Sequence, residues 1–140
     1  MLILSILIFT IMLTAALIHF YWAFGGQYGL RSSGPSLEDG KNFIPSRWLI
    51  FTVSCLLLSL SFLALQLVNP MSLLEDHIHF FGYGIALIFI IRAVGDFKYV
   101  GLFKTIYNSS FAQLDTRYFS PLILILGISF ALLSRYGISP

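Results

Sequence analysis

The sequence predicts an all-α protein, an antiparallel four-helix transmembrane bundle, and three observations carry that prediction. Of the 140 residues, 58% are hydrophobic and 10% charged, with a mean hydropathy of +0.90, whereas charged residues make up about a quarter of an ordinary soluble domain. Four apolar stretches approach the ~20 residues that a membrane-crossing helix needs, and little chain is left over. The basic residues gather in alternate loops, the asymmetry that orients multi-pass proteins. The expected organisation is a single integral membrane domain over residues 1–140, with spans at about 2–24, 47–68, 73–97 and 116–136.

Residues 1–24 are nearly uncharged and lack the basic start and short apolar core of a cleavable signal peptide, so they read as a retained first span. Gly25-Gly26 ends it. At about 100° per residue, Met12, Ala15, Ala16, His19, Ala23 and Gly26 share one broad side. Small residues let membrane helices approach closely, so His19 is expected to face the bundle. Residues 27–45 mix Gly, Ser and Pro with Arg31, Glu38, Asp39 and Lys41 and have no sustained period, which is a loop. Ser46 is placed to cap the second span, Trp48 to sit at the water interface and Pro70 to follow the helix end. Thr52, Cys55, Ser59 and Gln66 form a weakly polar stripe suited to helix contacts.

Ser72-Leu-Leu-Glu75 fits a capping box and starts the third span at about Leu73. Glu75, His79, Gly82, Ala86 and Ala93 share a side of that helix, a second packing seam. Residues 98–114 hold Lys98, Tyr99, Phe103, Lys104 and Tyr107 beside Asn108-Ser-Ser, a headgroup-interface composition that reads as the second long loop. The fourth span begins between Asp115 and Pro121, with the earlier start preferred because the later one leaves too short a stretch. Ser120, Gly127, Ala131 and Ser134 give it a small-residue face.

The loops after the first and third spans carry Arg31, Lys41, Arg47, Lys98, Lys104 and Arg117, against Arg135 on the other side. Positive-inside bias then places both long loops in the cytoplasm and both termini outside. On that side Asn108-Ser109-Ser110 is no glycosylation acceptor. A net charge of +2 without a basic run argues against nucleic acid, and the lone Cys55 permits neither an intrachain disulfide nor a cysteine metal site. No Gly-rich phosphate loop, Ser-x-Gly elbow or HExxH is present, and the spans lack the breaks of a broken-helix transporter.

Chemistry has two places to sit. Near the cytoplasmic ends of their spans lie His19, Arg92 and Asp96, with Asp115 and Arg117 entering from the fourth span. Charges at membrane depth are costly and are paired or line a cavity. Arg92 and Asp96 have the i,i+4 spacing of a helix pair, in the less favourable order. Either this group merely ties helix ends together, or it forms a pocket in which His19 moves protons, Arg92 holds an anionic group and Asp96 orients either. On the opposite side, Glu75, Asp76, His77 and His79 allow a ligand pair on one helix face, yet acids in a first turn are already explained by the helix dipole, so no metal site is expected. The sequence specifies no cofactor.

The segments His19-Phe-Tyr-Trp-Ala-Phe-Gly-Gly26, Arg92-Ala-Val-Gly-Asp-Phe-Lys-Tyr-Val-Gly-Leu-Phe-Lys104 and Phe111-Ala-Gln-Leu-Asp-Thr-Arg-Tyr-Phe-Ser-Pro-Leu122 resemble domain-of-unknown-function family 3995, small bacterial membrane proteins. The resemblance covers almost the whole chain, with Lys98 standing where arginine is more usual. It implies four spans and no assigned activity, and it marks His19, Tyr21, Trp22, Arg92, Asp96, Tyr99, Asp115, Arg117 and Tyr118 as the candidate ligand-binding set. The leading expectation is a membrane component that binds a lipid headgroup or small anionic ligand through this cytoplasmic-side cluster. Its partners would be membrane lipids, a second copy or another membrane protein, and no nucleic acid. The alternatives are a membrane-embedded enzyme acting on a lipid-like or quinone-like substrate, and a small transporter built as an oligomer.

Overall fold

A computed structural model describes residues 1–35, 43–71 and 77–137. It is all-helical over those residues: α1 (Leu2–Ala23), α2 (Arg47–Gln66), α3 (Ile78–Val94) and α4 (Ser110–Tyr136), with a short 3-10 turn at Leu30–Ser32. α1 packs along α2 and α3 along α4, and the two pairs meet through α1 with α4 and α2 with α3. Sequence neighbours are therefore spatial neighbours, in an up-down-up-down bundle.

Three of the helices, α1, α2 and α4, are long and apolar enough to cross a membrane, while α3 is apolar but 17 residues long. The outward faces are apolar too: Phe80, Phe81, Leu87, Ile88 and Ile91 on α3 are all exposed, as are Leu2, Ile3 and Leu17 on α1. Such a surface suits lipid tails and would be an aggregation hazard in water.

Helix ends follow local chemistry. The N–H of Gly25 donates to the Trp22 carbonyl (3.1 Å) and that of Gly26 to Tyr21 (2.8 Å), with Gly25 at φ +103. This paired closure satisfies α1's last carbonyls and needs a residue without Cβ. Ser46 caps α2 by accepting the Leu49 N–H at 3.3 Å. α3 stops at Val94, before the Phe97 expected, because Gly95 turns away at φ +95. Its expected start and capping box, Ser72 to Glu75, lie outside the described residues.

The fourth helix differs most from expectation. It starts at Ser110, where Ser109 Oγ accepts the Ala112 N–H at 3.0 Å, so the second long loop is shorter than the sequence reading made it. A π-helical turn, Asp115–Phe119, then leads into Ser120 and Pro121. Proline has no N–H to give the carbonyl four residues back, and its ring crowds that carbonyl. The wider turn just before it gives the ring room and lets one helix pass through both candidate starts.

All four helices share a core in the half that holds the short α2–α3 connection: Ile8, Met12, Ala64, Leu67, Ile78, Ala86, Leu126, Phe130 and Leu133. Small residues set the close approaches. A Cβ on Gly82 would run into Ser134 Oγ, and one on Gly127 would press on the Ala86 carbonyl at 3.1 Å. The polar stripe expected on α2 divides, with Cys55 and Gln66 half-buried and the other two residues facing outward. Thr52 and Ser59 are exposed and bond their own helix's carbonyls at Trp48 and Cys55, whereas Ser54 and Ser61 are buried. Ser5 ties α1 to α2 by donating to the Ala64 carbonyl at 2.8 Å.

Candidate functional site

The ends of α1 and α3 and the starts of α2 and α4 lie together, joined by the loops after α1 and after α3. The 3-10 turn of the first loop rests against Ser110–Leu114, so the loops touch.

The loop after α3 is built on backbone proximity. Gly95 and Gly101, both at positive φ, pack face to face, and a Cβ on either would collide with the other's stretch of backbone. Asp96 N–H donates to Val100, and Leu102 N–H reaches back to the Ala93 carbonyl at 2.9 Å, folding the chain onto the end of α3. Asp96 Oδ1 accepts the N–H groups of Lys98, Tyr99 and Val100 at 3.0, 2.7 and 2.9 Å. Partial desolvation works against its charge, but the Val100, Lys98 and Tyr99 donors outweigh it and hold the carboxyl below its ordinary value.

Asp115 is the second anchor and is fully buried. Its Oδ2 accepts the Gly101 N–H at 2.8 Å and Lys104 Nζ at 2.9 Å, and its Oδ1 accepts Arg92 Nη2 at 3.1 Å. Lys104, 1% exposed, gives a further bond to the Gly101 carbonyl at 2.9 Å. Arg92 keeps a third of its side chain exposed and leaves Nη1 buried without a partner.

The structure thus sorts the nine candidate residues into separate places. Arg92 and Asp115 meet directly. Arg92 and Asp96 do not form the expected i,i+4 pair, because the helix ends between them at Gly95 and each finds another partner. Tyr99 joins Asp96 through its backbone and stacks under Lys98 at 5.1 Å. Tyr118 is exposed beside Arg117, whose guanidinium lies 5.4 Å from its ring. His19 is half-buried on α1. Its Nδ1 lies 2.8 Å from the Ala15 carbonyl, so Nδ1 donates, and its ring packs edge-on against Trp22. Tyr21 is exposed, with its ring against Gly26.

Trp22 belongs to a different arrangement. Its Nε1 donates to the Tyr28 carbonyl at 2.8 Å, pinning the loop after α1 to the helix. The ring then lines a cleft of about 200 Å³ with Gln27, Arg31, Pro45, Arg47 and Ile50. Among the described residues neither Arg31 nor Arg47 has a hydrogen bond or an ion pair, and no carboxylate lines the cleft. Arg47 lies over Gly25, with Nη2 3.6 Å from where a Cβ would stand. An adjoining groove of about 430 Å³ runs along Ala23, Phe24, Trp48 and Phe51 and shares Arg47.

The family of proteins of unknown function DUF3995 matches the chain over residues 12–130. The chain belongs to that family. No curated protein and no solved structure matches it. All of the three-way charge cluster of this DUF3995 chain, and all of the Trp22 cleft, fall inside the matched stretch.

Sequence reasoning missed Lys104, Gly101 and the Arg31–Arg47 pair. Lys104 looked like an interfacial lysine, and nothing local distinguishes it, since its partner is 11 residues away. Gly95 and Gly101 were the available signal, two glycines bracketing a charged turn. On the opposite end, Glu75 and Asp76 lie outside the described residues. His79 Nδ1 donates to the Ser134 carbonyl at 2.7 Å, joining α3 to α4.

Proposed function

We propose that this DUF3995 chain is a multi-pass protein of the bacterial cytoplasmic membrane that binds an anionic, phosphate-type group at the end where its two long loops lie, as a binding component rather than an enzyme. The observation that carries the reading is a single cleft lined by two arginines, Arg31 and Arg47, with no carboxylate partner among the described residues. Arginine's planar fork suits phosphate oxygens, and two of them facing one space favour an anion between them. Counting Glu38 and Asp39, the basic residues Arg31, Lys41 and Arg47 still outnumber the acids of that segment. Trp22 contributes its ring face, since its N–H is already engaged.

Of the expected ligand set, Arg92, Asp96 and Asp115 take a supporting part. They hold the loop after α3 and the start of α4, on which the turn carrying Arg31 rests. The enzyme alternative, with His19 and Asp96 sharing a proton, gains no geometry among the described residues, because His19 bonds within α1 and Asp96 bonds three backbone donors of its own loop.

Binding is tested by titrating inorganic phosphate into the detergent-solubilised protein and following its melting temperature, which a ligand of the folded state raises. Arg31→Gln with Arg47→Gln should remove the rise; a double variant that responds like the wild type would overturn the reading. Orientation is tested on a Cys55→Ser background with Tyr28→Cys, at a position 89% exposed. An impermeant maleimide should label it only after intact cells are permeabilised, and labelling of intact cells would reverse the topology.

A further inference from the structure

We propose that the ligand of the Arg31–Arg47 cleft is an amphiphile, an anionic phospholipid, whose phosphate lies between the two guanidinium groups and whose chain runs along the groove of Ala23, Phe24, Trp48 and Phe51. The proposal rests on the anion-binding reading above and names the class of molecule that fills the site.

The two spaces are joined through one residue. Arg47 lines the polar cleft and also the apolar groove, and among the described residues no carboxylate lines either. A free phosphate would occupy the cleft alone and make no use of the groove, which has about twice the cleft's volume. The groove lies where a lipid chain would enter it. Phe24 follows the last residue of α1 and Trp48 stands in the first turn of α2, so both are at the ends of membrane-length helices, and they are 77% and 82% exposed. Tryptophan is favoured at that depth, where headgroup meets hydrocarbon. The groove's floor is aromatic: Phe51 meets Phe24 and Phe20 edge-on, with centroids 6.4 and 5.6 Å apart. An aromatic wall beside a cation matches a molecule with a charged end and an apolar body. A zwitterionic lipid would bring its own cation beside Arg31 and Arg47, where the described residues supply no acid to receive it, so a net-anionic lipid is the better match.

The chain has two tryptophans, and one lines the cleft while the other lines the groove, so its intrinsic fluorescence reports on this site. In maltoside micelles the wild-type protein is titrated with dibrominated phosphatidylglycerol and, separately, with dibrominated phosphatidylcholine, whose bromines quench on contact. Phosphatidylglycerol should quench at about tenfold lower mole fraction, as two basic groups near an anionic headgroup warrant. Arg47→Gln should bring the two lipids within about twofold, whereas Arg135→Gln, the same charge change at the opposite end, should keep the preference. Equal quenching of the wild type by both lipids overturns the proposal, as does a preference that survives Arg47→Gln. Should Arg47→Gln fail to fold, the wild-type comparison decides alone. If the lipids quench equally but inorganic phosphate still stabilises the protein through Arg31 and Arg47, the amphiphile proposal falls and the anion-binding reading stands. If neither phosphate nor phosphatidylglycerol acts through these arginines, both fall.

Discussion

Two cations stand beside each loop at the basic end of the bundle, but the protein uses them differently. In the loop after α3, Arg92 and Lys104 converge on Asp115, and Oδ1 of the neighbouring Asp96 accepts three backbone donors. In the loop after α1, Arg31 and Arg47 converge on a cleft with no acid among the described residues. The two loops touch through the turn at Leu30–Ser32, so they share an environment and differ in their partners. Charge that is fully matched inside the protein holds a fold together. Charge that the protein leaves unmatched is available to something else. The comparison is broken if mutations in the two loops behave alike.

The largest effect is expected at Asp115. Replacing it with asparagine keeps the shape and removes the charge, leaving Lys104 buried without a counter-ion. Breaking a buried ion pair from one side costs about 3–5 kcal/mol. Asp115→Asn should therefore lower the melting temperature in detergent by many degrees or prevent recovery of folded protein. A variant as stable as the wild type would mean that the cluster is dispensable.

Next comes Gly101→Ala. At φ +98 a side chain is strained, and its Cβ would strike the Val94 carbonyl and the Gly95 Cα. Strain and overpacking each cost about 1–3 kcal/mol. The measurable consequence is lost hydrogen-exchange protection over residues 95–106, together with a lower melting temperature. Gly84, where an added Cβ would stand in open space, is the control and should tolerate alanine.

What the sequence allowed one to read, and what it hid, divides along the same line. Ser46 and Gly25-Gly26 were legible because a cap or a helix stop is decided by residues within a turn of it. The packing faces of α3 and α4 were legible too, since Gly82, Ala86, Gly127 and Ser134 repeat with the helix. Arg92 and Asp96 misled because the i,i+4 argument presumes an unbroken helix, and Gly95 breaks it. Arg92's real partner lies 23 residues away, a distance no local pattern reports. Arg31 and Arg47 were read only as markers of orientation. Their convergence depends on the loop's path, fixed by the Trp22–Tyr28 bond and by the Phe43 N–H donating to the Pro35 carbonyl.

A smaller effect is expected from acid on Asp96. Its carboxyl is held below the ordinary 3.8, so in the folded protein it releases its proton more readily than in the unfolded chain. Its contribution is complete above that ordinary value and is lost as pH falls through the lowered folded-state value. Exchange protection of the Lys98, Tyr99 and Val100 amides, corrected for the intrinsic pH dependence of exchange, should fall only in that acid window. Asp96→Asn should weaken protection above that window and remove the acid step. An acid step of the same size in Asp96→Asn would assign it to another group.

The smallest effect carries the most weight for the comparison. Arg31 and Arg47 are exposed and make no hydrogen bond or ion pair among the described residues, so the folded state loses no such contact when they change. Exposed substitutions of this kind alter stability within about 0.5 kcal/mol. Arg31→Gln and Arg47→Gln, singly and together, should therefore melt within a degree or two of the wild type when both are stripped of lipid. A loss comparable to that of Asp115→Asn would mean that these arginines hold the loop in place, and the cleft would then be a structural joint. A neutral result in lipid-free detergent, combined with a lower melting temperature than the wild type once phosphatidylglycerol is added, would separate binding from folding in one measurement. Changes to Asp96, Lys104 or Asp115 should not give that pattern, because each removes a bond the protein makes to itself.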